Sequence, residues 1–252
     1  MKNPFETHGI EHLSPSSINL YAAAPAVFLL EKVLKKRSGG VGPAAHRGTA
    51  VEHGIVHGLS TGADLRECQE KARKEFSTLT ALQSGDKVDK ETKAVPDMVA
   101  VGLAELRSYG PPSSTQGKVV HHVDRLAVPI LGYYDLEWEK KGILIDIKTT
   151  HALPSRISTA HARQVALYHA GRGGNLDCRL TYVTPKKSAT YSLENPEEHL
   201  KSLINMAYAI QRLLSISADP MELVGLFAPD TESFYVTGDP VTRQHVFDVW
   251  GV

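Results

Sequence analysis

The chain has 252 residues, 42% of them hydrophobic, which is enough for a sizeable core and argues against disorder. Lys plus Arg equal Asp plus Glu at 28 each, so net charge gives no sign of a polyanionic partner, although a local basic patch needs no net excess. The two cysteines, Cys68 and Cys178, cannot supply the four thiolates of an iron–sulfur cluster and suit a reduced compartment better than a disulfide. No run approaches the roughly 20 apolar residues of a membrane span. The opening MKNPFETHGIEHL lacks the apolar stretch of a secretory signal, so the expected location is the cytoplasm.

In chain order, residues 13–37 read as a helical pair. Ser14-Pro15 supplies an N-cap followed by proline at the first helical position. Pro25 starts the second helix, whose last turn should carry Lys35, Lys36 and Arg37, where the helix dipole favours cations. Further helices are expected over 44–59, 63–82 and 96–109, with the polar segment 84–93 as a loop and GPPSSTQG at 110–117 as a break. Beyond that break the texture changes to Val, Ile, Tyr and Trp. Strands are expected within 118–139 and 142–150, then a helix over 158–170 capped by Ser158 and ended by Gly171. Strands over 178–184 and 187–193 and a helix over 196–217 follow, and residues 219–252 remain unassigned. This order predicts an α/β or α+β fold, a central mixed sheet flanked by helices.

The chemistry concentrates in GYYDLEWEKKGILIDIKTT, residues 132–150. Asp146 and Lys148 lie two apart on a strand and so project from one face. A two-residue Lys140-Lys141 loop would place Asp135 opposite Asp146, whereas a three-residue loop with Gly142 left-handed would shift the pairing by one. Aspartate inside ILIDIKTT sits among residues that read as buried, where an ionised carboxylate is costly unless paired or metal-bound. Two carboxylates suit a hard divalent cation, and a lysine beside them can stabilise charge developing on a phosphate.

Gly132-Tyr-Tyr-Asp135, Asp146-Ile-Lys148-Thr149 and Gln164-Val-Ala-Leu-Tyr168 follow one another in the order and at the spacings of the PD-(D/E)XK nuclease superfamily, and the chain resembles its RecB-like branch. Leu13-Ser-Pro-Ser-Ser-Ile-Asn-Leu-Tyr21 resembles the opening of that branch. Ala24 stands where some relatives carry a cluster cysteine, so no iron–sulfur cluster is expected. Arg47-Gly48-Thr-Ala-Val-Glu52 matches a glycine followed one turn later by a metal-binding residue. His53 is adjacent but points about 100° away on the helix, so Glu52 is preferred as third ligand.

The resemblance implies a restriction-endonuclease-like core with an N-terminal helical extension. One nuclease domain would span 1–252, mainly helical over 13–110, with its core over 118–217. It implies Asp135, Asp146 and Lys148 as catalytic residues. Glu52, Asp135, Asp146 and the Ile147 carbonyl would bind Mg²⁺ or Mn²⁺, and Gln164 and Tyr168 would contact DNA. The activity implied is a metal-dependent deoxyribonuclease, more often an exonuclease, in DNA repair, recombination or replication. A phage or bacterial setting is expected, in the host cytoplasm if phage-encoded, with recombination or replication proteins as partners. A sequence-specific endonuclease and a catalytically silent DNA-binding protein are the alternatives. His53 and His57 form H-x-x-x-H, but Gly54 replaces the glutamate of a zinc protease, and no phosphate-binding loop is present.

Overall fold

The computed structural model describes residues 3–36 and 38–252. The helices in the first part of the chain are α1 (Pro4–Thr7), α2 (Pro15–Ala23), α3 (Pro25–Phe28, running on as a π-helical turn over Leu29–Val33), α4 (Pro43–Thr61), α5 (Leu65–Leu79) and α6 (Asp86–Leu106). Strands β1 (Ser114–His121), β2 (Ile130–Trp138) and β3 (Ile143–Thr149) come next, then α7 (Thr159–Gly171), β4 (Asp177–Val183) and β5 (Ser188–Ser192). The chain closes with α8 (Pro196–Leu214), α9 (Pro220–Val224), α10 (Phe234–Thr237) and α11 (Pro240–Trp250). No helix among the described residues is long and apolar enough to cross a membrane. The chain forms two compact units, one of Met1–Gly40, Val120–Gly132 and Glu197–Val252, the other of Val41–Val119 and Tyr133–Pro196.

In the first unit, Ser14 caps α2 as expected, its Oγ accepting from Ser17 N at 3.1 Å while Ser17 Oγ accepts from Ser14 N at 2.9 Å. The next helical run stops at Val33, so Lys35 and Lys36 lie beyond its last turn, and Arg37 lies outside the described residues. Lys35 instead takes φ 55° and donates to the Gly9 and Lys32 carbonyls at 2.9 and 2.7 Å. The unassigned tail carries α9 to α11, and its Val236 and Val246 pack with Ala24, Val27 and Leu30. Those apolar positions lie too far apart in sequence to show a period.

The second unit holds α4 to α7, β3 to β5 and the greater part of β1 and β2, and the sheet order is β1-β2-β3-β4-β5. β2 and β3 are antiparallel, β3 and β4 parallel, β4 and β5 antiparallel. This mixed sheet flanked by helices is the predicted α/β core. The parallel pair needs a crossover, which α7 supplies. Ile145, Ile147, Leu136 and Trp138 from one sheet face join Val51, Ile55, Val95 and Val99 of α4 and α6 in the main core. Gly54 and Gly58, one turn apart on α4, let α5 approach: a Cβ on Gly54 would meet the Cys68 carbonyl at 2.8 Å, and one on Gly58 the Cys68 Sγ at 2.7 Å. Both cysteines are buried free thiols.

Two expectations need correction. Residues 86–93 are the first turns of α6, and Pro96 sits inside that helix, not at its start. The polar run hides a helical stripe, with Val88 packed on the core and Glu91, Val95 and Met98 buried. Glu91 can be buried because it pairs with Arg47 at 2.7 Å. The break at 110–117 also contains the start of β1, and Gly117 marks a close approach, since a Cβ there would lie 2.0 Å from the Tyr134 ring.

Candidate active site

The β2–β3 turn fixes the register. Glu139–Lys141 form a 3-10 turn closed by Gly142 N donating to Glu139 O at 3.0 Å, and Gly142 takes the left-handed φ of 64°. The pairs Trp138↔Ile143 and Leu136↔Ile145 nevertheless keep the register that sets Asp135 opposite Asp146. The ladder stops at Leu136↔Ile145, and beyond it the Asp135 Oδ2 accepts from Ile147 N at 2.6 Å. Asp135 and Asp146 thus share a neighbourhood at the end of the paired strands, 7% and 1% exposed.

Lys148 Nζ lies 2.5 Å from Asp146 Oδ2. The Lys148 ammonium hydrogen-bonds this carboxylate as well as neutralising it. Asp146 Oδ1 accepts from Gln164 Nε2 at 3.3 Å, and Gln164 Nε2 also reaches the Tyr168 hydroxyl at 2.6 Å. Glu52, from α4, hydrogen-bonds Asp135, and its Oε1 accepts from the Gln116 side-chain amide. The acids crowd one another. Burial, then the charges of Asp146 and Glu52, push the Asp135 carboxyl well above the usual carboxylate range. Burial also raises Glu52. Burial pulls Lys148 down, but the surrounding carboxylates outweigh it and hold its ammonium above the ordinary lysine value.

Glu52, Asp135, Asp146, Lys148 and Gln164 are therefore brought together. Tyr168 is 1% exposed and lies beneath the site, so a direct contact with DNA is not open to it in this conformation. His53 and His57 serve elsewhere, paired with Glu75 and Glu67 of α5 at 3.4 and 2.7 Å. Two features escaped the sequence reading. Gln116 lay in the supposed break. Arg47 was legible as a neighbour of Gly48, but not as the donor that ties α4 to Thr149 at the end of β3, at 3.2 Å to both Oγ1 and the carbonyl.

As the side chains stand, no group of three His, Cys, Asp or Glu among the described residues surrounds a common point as ligands would. Asp135 is turned to the Ile147 amide, Asp146 to Lys148 and Glu52 to Gln116. The donor set still fits a hard divalent cation by its chemistry: the ligating atoms are all oxygens, and the carboxylates of Asp135, Asp146 and Glu52 repel one another.

The model of the PD-(D/E)XK nuclease superfamily matches residues 12–222. The chain belongs to that superfamily. No curated relative matches it. A solved structure described as SSO0001 is 16% identical, covering 65% of this chain and 85% of that one with a TM-score of 0.35. Membership in the superfamily implies nuclease activity.

The raised Asp135 carboxyl gives a stability prediction. The folded state holds this proton more tightly than the unfolded chain, so stability falls as pH rises from about 3.9 through the folded value. In EDTA at pH 7.5, Asp135→Asn should therefore melt above the parent, its amide oxygen still accepting from Ile147 N. The difference should shrink as pH approaches 4. A variant melting below the parent at pH 7.5 would show that the carboxylate is not under repulsive load.

Proposed function

We propose that this PD-(D/E)XK protein is a Mg²⁺- or Mn²⁺-dependent deoxyribonuclease of the RecB-like type, acting exonucleolytically in DNA repair, recombination or replication. The observation that carries the reading is Asp146, 1% exposed, with Lys148 at 2.5 Å and two further carboxylates beside it. A buried acid cluster of this kind is costly to folding and serves chemistry. Asp135, Asp146 and Glu52, with the Ile147 carbonyl, are the proposed cation ligands. The cation would supply charge neutralisation and a nucleophile near neutral pH.

The protein's own residues do the rest. Lys148, held as an ammonium by its acidic neighbours, faces the phosphate and stabilises the charge that builds on its oxygens. Gln164 fixes the orientation of Asp146, and Tyr168 fixes Gln164 from below. Gln164 is half-buried and is the one of this pair open to a DNA strand.

This arrangement separates two variants. Gln164→Ala should weaken DNA binding and cleavage together, by roughly 1.5–3 kcal/mol for the lost hydrogen bond to a charged partner. Tyr168→Phe should lower stability by ~1 kcal/mol, the value of a neutral hydrogen bond, and leave DNA affinity in Ca²⁺ near that of the parent. A Tyr168→Phe protein of parental stability but defective binding would restore a direct DNA contact to Tyr168.

The test of the function is incubation with end-labelled linear, covalently closed circular and single-stranded DNA in Mg²⁺, Mn²⁺ or EDTA. Cation-dependent loss of linear DNA with circles left intact is expected. Cutting of closed circles would make the protein an endonuclease. Binding without cleavage in any cation would overturn the nuclease reading.

A further inference from the structure

We infer that Gln116 is a positioning residue for Glu52, a role that rests on the nuclease reading above. Gln116 lies within β1, is exposed, and has φ 55°. Among the described residues, the other non-glycine positions with positive φ, Lys35, Arg125 and Asn195, lie outside the helices and strands. A left-handed residue inside a strand costs conformational energy, and glutamine lacks the short local hydrogen bonds that ease this for asparagine and aspartate. The strain is tolerated where the surroundings need the side chain in one place.

Here that place is Glu52. The Gln116 amide donates to Glu52 Oε1. Next to it, Gly117 lets β1 lie against the Tyr134 ring, closer than any Cβ would permit, so the strand that carries Gln116 is fixed. On the other side of the acid cluster, Gln164 donates to Asp146 Oδ1. Two neutral amides, one from β1 and one from α7, therefore bracket the carboxylates.

Their neutrality matters. A lysine or arginine would orient Glu52 equally well but would cancel the charge a cation needs. An amide holds one carboxylate oxygen without adding charge, while Glu52 keeps its hydrogen bond with Asp135. Partners of this kind set the orientation of metal-binding carboxylates, and their loss typically weakens metal affinity by about tenfold or more.

Gln116→Gly and Gln116→Met separate this role from a purely structural one. Both remove the amide. Glycine also relieves the left-handed backbone, whereas methionine keeps both the length and the strain. The readouts are the melting temperature in EDTA and Mn²⁺ affinity by titration calorimetry, with the Mn²⁺ dependence of cleavage alongside. Gln116→Gly should melt above the parent and Gln116→Met close to it. Both should bind Mn²⁺ about tenfold more weakly, and the Mn²⁺ needed for half-maximal cleavage should rise by the same factor. Mn²⁺ affinity within about twofold of the parent in both variants would overturn the role of Gln116 while leaving the nuclease reading standing. So would a loss of affinity that tracks a fall in melting temperature. A parent that neither binds Mn²⁺ nor cuts DNA would remove the nuclease reading, and this inference with it.

Discussion

Replacing Lys148 with alanine is expected to slow single-turnover DNA cleavage by about a hundred- to a thousandfold, roughly 3–4 kcal/mol of transition-state stabilisation. Lys148 is 27% exposed in its side chain, with its ammonium 2.5 Å from a carboxylate oxygen that is itself buried. The ammonium is a compact charge, and its neighbours hold it protonated across the working pH range. Its value lies in charge that develops during the reaction, so ground-state binding should change far less than turnover. DNA affinity in Ca²⁺ should survive in Lys148→Ala. Lys148→Arg should rescue little, because a planar guanidinium cannot occupy the same point beside Asp146. Single-turnover rates measured beside a Ca²⁺ binding titration decide the matter, and near-parental cleavage by the alanine variant would remove Lys148 from the chemistry.

Glu91→Gln is expected to cost about 3–5 kcal/mol of stability at pH 7, because it leaves the buried Arg47 charge without its partner. Arg47 is 5% exposed and Glu91 7%, and they meet at 2.7 Å, with His151 adding a contact at 2.9 Å to the same oxygen. Burial raises the Glu91 carboxyl, but the hydrogen bonds and charges of Arg47 and His151 outweigh it and hold it below the ordinary glutamate value. The unfolded chain therefore binds this proton more tightly than the folded one. The stabilisation is complete above about pH 4.3 and is lost as pH falls through the depressed folded value. Urea unfolding at pH 7 and acid unfolding below pH 5 should show both effects, with the variant less stable at pH 7 and less steeply destabilised by acid. A variant within about 1 kcal/mol of the parent at pH 7 would mean that the pair contributes little. Since Arg47 also holds Thr149 at the end of β3, the same variant loosens the seat of α4, which carries Glu52.

The sequence shows its chemistry more clearly than its scaffold. Asp146 and Lys148 are legible because the two-residue period of a strand sets both on one face, and the pairing of Asp135 with Asp146 follows once the turn register is known. Ser14 with Pro15, and Ser158, mark helix starts because caps and first-turn prolines are local signals. The α6 start was hidden because Glu91 looks solvated unless its distant partner Arg47 is known. Gln116 was hidden for a similar reason: a polar residue beside glycine reads as a turn, and only the strand pairing turns it toward Glu52. The resemblance implies a DNA contact for Tyr168, but its four-residue spacing to Gln164 gives only a shared helix face without saying what covers it. The short helices beyond residue 219 carry too few periodic positions to be seen before their core partners are in place.

The proposed role of Asp146 in cation-dependent phosphodiester hydrolysis is tested by comparing the parent with Asp146→Asn on end-labelled linear DNA across a Mn²⁺ titration, with EDTA as baseline. The parent should cut only with the cation. The variant should remain folded by melting temperature yet neither bind Mn²⁺ detectably nor cut. Cleavage by the parent in EDTA, or parental cleavage by a folded Asp146→Asn protein, would contradict the account.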